Sequence, residues 1–129
     1  MNSDQNGLGQ PRHRDPTLGA HHSQGMSVMA LKRFGFIVTG AGLNPAQHRA
    51  VMTSPRFTMV AVGVTDPAEG AEVAKALVAE HDVQLIELCG GFGTADTLRV
   101  QAAIPPEVPV GVVRYGPETI DPLHRLFGD

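Results

Sequence analysis

An α/β domain is the fold class this sequence predicts, and three observations carry that expectation. Four short apolar runs recur at similar spacing: RFGFIVT (33–39), FTMVAVGV (57–64), VQLIEL (83–88) and VPVGVVRY (108–115). Each is apolar on both alternating faces, as strands covered on both sides are. Helix-opening signals stand between them, and 129 residues have room for one such core and not for two. Strand and helix in alternation imply right-handed crossovers and a mostly parallel sheet with flanking helices.

The pattern starts late. In residues 1–25 the apolar side chains are Met1, Leu8, Leu18 and Ala20, with neither a helical nor a strand period. Gly, Pro, Asn, Gln, Ser and His fill much of the rest. Such a segment cannot bury enough surface to offset its ordering entropy, so residues 1–30 are expected to form a disordered tail and residues 31–129 the domain. The tail lacks the charged-then-apolar layout of a secretory signal. His13, His21 and His22 have no cysteine or acidic partner at ligand spacing and read as solvated histidines. Met26 and Met29 stand just ahead of the ordered pattern and are expected to be alternative start points.

After the first run, Asn44-Pro45-Ala46-Gln47 offers a cap acceptor, a proline at the first helical position, and Gln three residues after the cap. Asp66-Pro67-Ala68-Glu69 repeats that design after the second run. Both predict a helix. The second is expected to reach about His81, with Ala71, Ala74, Leu77 and Val78 as its apolar stripe. A third helix is expected from about Thr94 to Ala103, stopped by Pro105-Pro106. Pro109 confines the fourth run to a sheet edge, and Asp121-Pro122 opens a last helix. The simplest assembly is a four-stranded sheet in the order 2-1-3-4, a cut-down flavodoxin-like arrangement. An α+β fold with one antiparallel strand is the alternative.

Composition excludes several classes of function. A net charge of −3 gives no electrostatic footprint for nucleic acid or anionic membrane. No apolar run approaches the roughly 18 residues of a membrane span. One cysteine excludes an intrachain disulfide and a multi-cysteine zinc site. Gly40 and Gly42 begin a dinucleotide fingerprint, but Pro45 stands where its third glycine belongs, and no phosphate-binding Gly-Lys-Ser/Thr loop exists. The expectation is a cytoplasmic protein with no cofactor, no metal, no nucleic acid and no membrane.

A site is expected where the strand order switches direction, beyond the carboxyl ends of strands one and three. Two glycine-rich loops meet there, Gly40-Ala41-Gly42-Leu43-Asn44 and Cys89-Gly90-Gly91-Phe92-Gly93-Thr94. Each leads toward a helix N-terminus, whose amides favour an anion. The second also reads as a tight turn needing glycine's freedom. Cys89 lies at a strand mouth ahead of a helix start, a place that lowers a thiol pKa, and His48 is the candidate base. A lone cysteine is equally the mark of an inert buried thiol, and a lone histidine that of a surface helix. Glu87 interrupts an apolar strand, and Arg114 stands at the matching end of the next. They read first as an ion pair, and otherwise as an anion clamp with its orienting or basic carboxylate.

The stretches FGFIVTGAG, IELCGGFG and VPVGVVRYG resemble an uncharacterised bacterial family of small single-domain α/β proteins, a domain of unknown function. The resemblance covers about residues 31–129. It implies a compact domain and points at Cys89-Gly90-Gly91-Phe92-Gly93 and Arg114, and it brings no activity.

Three kinds of function fit these residues. The first is a domain binding a small anionic metabolite through both loops, with Arg114 as counter-charge. The second is a cysteine-dependent enzyme on a small acyl or anionic substrate, with Cys89 as nucleophile and His48 as base. The third is an interaction module that pairs through the edges at strands two and four. A homodimer is expected, because four strands of this size cover a core poorly alone.

Overall fold

Alternation of apolar strands and capped helices is realised in a computed structural model that describes residues 30–128. The expected tail, with His13, His21, His22, Met26 and Met29, lies outside the described residues. The strands are β1 (Arg33–Thr39), β2 (Arg49–Ser54), β3 (Phe57–Val64), β4 (Leu85–Leu88) and β5 (Val110–Val112). The helices are α1 (Gly70–His81), α2 (Thr94–Ala103) and α3 (Ile120–Phe127), with 3-10 turns at Pro67–Glu69 and Pro117–Thr119. No helix among the described residues is long and apolar enough to cross a membrane.

The sheet order is β2-β3-β1-β4-β5. β3, β1, β4 and β5 are the four expected strands, parallel and in the expected order. The expected four-stranded sheet is corrected by one strand: β2 adds a fifth, antiparallel to β3. The two-residue turn Pro55-Arg56 joins that pair. β3 is therefore covered, and the free edges belong to β2 and β5.

The added strand replaces the first expected helix. Asn44 does act as a cap, its Oδ1 accepting the Ala46 N–H at 2.8 Å and its carbonyl the His48 N–H at 2.8 Å. Only one turn forms. The residues that follow, Arg49-Ala50-Val51-Met52-Thr53-Ser54, carry two β-branched side chains and no apolar stripe at helical period, and they pair as a strand. The Asp66 cap succeeds because an apolar period follows it. Its Oδ1 accepts the Ala68 N–H, Glu69 reaches back to the Asp66 N–H, and Val73, Ala74 and Leu77 are buried behind. Of the expected stripe, Ala74 and Leu77 are buried and Val78 packs against the core, while Val73 joins them and Ala71 is half-buried. The last helix begins at Ile120 after the 3-10 turn, so Asp121 does not cap it.

This substitution decides which side of the sheet is covered. The crossovers β3–α1–β4 and β4–α2–β5 advance in the same direction, so right-handedness puts both helices on one face. α1 packs beside α2 there, over a core of Ile37, Val60, Val62, Val64, Ile86 and Leu88. The step from β1 to β3 runs the other way, and a helix in it would have covered the opposite face. β2 occupies that connection instead. Among the described residues, the face bearing Phe34, Phe36, Val38, Met59, Ala61 and Met52 consequently has no helix spanning it.

Candidate functional site

β1 and β4 run parallel with Ile37 beside Leu88, which brings Thr39 and Cys89 together just past the paired residues. The Cys89 N–H donates to the Ile37 carbonyl at 3.1 Å, continuing the sheet by one bond. A tight turn follows, closed by the Phe92 N–H on the Cys89 carbonyl at 3.1 Å. Two glycines make the turn possible. A Cβ on Gly91 would collide with Thr39 Oγ1, and one on Gly90 would stand 2.8 Å from the Tyr115 ring. Phe92, expected at the ligand, is instead fully buried and anchors the turn in the core against Val100.

The turn wraps the Cys89 sulfur in donors. The Thr39 N–H lies 3.2 Å from Sγ, and Thr39 Oγ1 lies 3.2 Å from it as well. Burial pushes the thiol up. The hydrogen bonds of the Thr39 side chain and N–H and of the Gly91 and Cys89 amides pull it down by more, leaving it below its ordinary value. The side chain is half-buried, touching the core on one side and open on the other.

The same geometry uses up most of the expected anion cradle. The Gly93 N–H donates to Asp96 Oδ2 at 3.2 Å, so a carboxylate of α2's first turn already sits at that helix start. Thr94 is exposed beside it. In the other loop, the Gly40 N–H donates to the Val64 carbonyl at 2.9 Å, and Leu43 fills the space above Gly40 and Gly63. Gly42 takes a left-handed turn conformation, φ 77°. Asn44 is spent within its own turn, its N–H donating to His48 Nδ1 at 2.7 Å.

Two expected pairings do not form. His48 was expected near Cys89 on a first-crossover helix. Without that helix its carbonyl accepts the Gly63 N–H on the far side of β3. β1 and β3 then stand between it and Cys89, a separation of roughly 14 Å at strand spacing. Glu87 and Arg114 do not form an ion pair either. Glu87 is exposed on the open face opposite Gly111, because β4 alternates and only Ile86 and Leu88 turn inward. Arg114 reaches instead over the Cys89 turn, its Nη1 donating to the Phe92 carbonyl at 3.1 Å and to the Val113 carbonyl at 3.2 Å.

The arrangement is thus a stabilised thiol at the sheet end, with Arg114 and the exposed Tyr115 across the turn from it. Thr39 and Tyr115 were absent from the expected site. Thr39 was within reach of sequence reasoning, since the order 2-1-3-4 makes the ends of β1 and β4 neighbours. Among the described residues, no three His, Cys, Asp or Glu side chains gather as a metal centre would require.

Residues 32–128 fit the family model described as "Family of unknown function (DUF6506)". No curated protein and no solved structure matches the chain.

Proposed function

The chain belongs to DUF6506, a family of unknown function, so its chemistry has to be read from its own side chains, and we propose that Cys89 is a thiolate nucleophile acting on a small acyl substrate. The convergence of the Thr39 N–H and the Thr39 hydroxyl on one half-buried sulfur carries this reading. A thiolate held by donors needs no adjacent base, so the distance of His48 is no obstacle. The sulfur lone pair forms a bond to the acyl carbon. The leaving group departs with the electron pair of the bond that breaks and takes its proton from water. Water then cleaves the thioester, releasing the acid and restoring the thiol.

Arg114 supplies the second half of the reading. Both of its hydrogen bonds use Nη1, which leaves Nε and Nη2 to meet an anionic group on the substrate. The preferred substrate is therefore an acyl compound that also bears a carboxylate or phosphate. Simple anion storage has less support, since Asp96 takes the Gly93 amide it would use. A lone exposed thiolate also fits a reducing compartment, the cytoplasm.

The test is exposure of the native chain to small thioesters, with and without a carboxylate, followed by intact mass. The expected result is one acyl group per chain, mapped to Cys89 and missing from Cys89→Ser. Arg114→Gln should slow acylation by the carboxylate-bearing donors at least several-fold and leave neutral donors unaffected. Acylation of lysines alone, equal in Cys89→Ser, would overturn the reading.

A further inference from the structure

Among the described residues two apolar surfaces stand largely uncovered, and they are complementary. The first is the open sheet face. Register places Phe34, Met59 and Met52 in one row and Phe36, Ala61 and Ala50 in the next. Phe34 and Phe57 stack there with ring centroids 6.3 Å apart, and Met52 is 62% exposed. The second is α3, whose Ile120, Leu123, Leu126 and Phe127 fall on one side of the helix at 3.6-residue period. Nothing among the described residues buries that side: Leu126 is 71% and Phe127 78% exposed.

We propose that both surfaces are covered by a second copy of this chain, the open faces meeting about a two-fold axis and each α3 clasping the partner's sheet. Area argues for a copy over α3 folding back on its own sheet. Five strands at about 4.8 Å spacing, with about six residues each, give the face a footprint of roughly 400 Å². α3 has 8 residues, and a helix that long covers only about 120 Å². Folding back would leave most of the face wet. Two faces with two helices cover roughly 1,000 Å² before side-chain relief is counted, which is where specific interfaces begin. Glu87 is the one charged strand residue on the open face, since Arg33 and Arg49 pair with Asp82 and Glu80 on the other side, so the face carries little charge that must stay in water.

The interface is isologous, so one substitution acts twice. Sedimentation equilibrium of the full chain at micromolar concentration should give twice the chain mass. Met52→Lys and the pair Leu126→Lys with Phe127→Lys change exposed side chains, so both variants should keep the native circular dichroism. Each should weaken association at least tenfold. A monomeric wild-type chain overturns the proposal, whatever the reactivity of Cys89. A dimer that ignores both variants overturns it too. A dimer weakened by Met52→Lys alone would remove the clasp and with it the proposed arrangement.

Discussion

Cys89 and Thr39 show how little separates an inert thiol from a reactive one. A half-buried cysteine would ordinarily stay protonated, because burial opposes the charge. Here the Thr39 hydroxyl and amide reverse the balance from across one strand pair. The fold therefore prefers the thiolate, and folding stability inherits that preference. A native titration point below the unfolded one adds stability above the unfolded value, and that stability disappears as pH falls through the native value. Denaturation midpoints of wild type minus Cys89→Ser, measured across that window, should rise with pH. Thr39→Val keeps the amide and loses the hydroxyl, so it should shrink the rise. A flat difference would mean the donors do not favour the ionised sulfur. Cys89 itself was legible in the sequence as a thiol at a strand mouth. Its partner Thr39 was within reach through the strand order, but the register that sets its hydroxyl and amide against the sulfur was not.

At the scale of elements, two openings of the same design had different fates. Asn44-Pro45 and Asp66-Pro67 both cap a turn, and only the second continues as α1. A cap states where a helix can begin; the apolar period behind it decides whether one continues. Val51 and Thr53 break that period after Asn44, and the strand they form removed His48 from the expected site. Phe92 was misread for a related reason, since a loop residue can belong to the core. Its ring lies 2.5 Å from where a Cβ on Gly70 would stand, which ties the Cys89 turn to the start of α1. Gly70→Ala sets two effects against each other. Helix propensity favours alanine by about 1 kcal/mol, and overpacking costs about 1–3 kcal/mol. A contact at 2.5 Å leaves the ring no room, so packing should prevail, lowering the urea midpoint and speeding alkylation of Cys89 by loosening its turn. An unchanged or raised midpoint would show that Phe92 moves freely.

The whole molecule follows from one departure from the alternating pattern. The order of β3, β1, β4 and β5 was legible because apolar runs, crossover handedness and the edge proline all agree on it. The antiparallel β2 was not, since its exposed residues carry no apolar alternation. Among the described residues, that strand leaves one sheet face without a helix over it and leaves the carboxyl end of β4 accessible. The site survives the departure because β1 and β4 are neighbours in either arrangement. The central claim is that this sheet end holds the Cys89 thiol's titration point below its ordinary value. The direct measurement is ultraviolet titration of the thiolate, as wild type minus Cys89→Ser, in the native chain and again in the unfolded one. The native midpoint should lie below the unfolded midpoint, which itself should fall near the usual thiol value of about 8.5. A native midpoint at or above the unfolded one would contradict the claim.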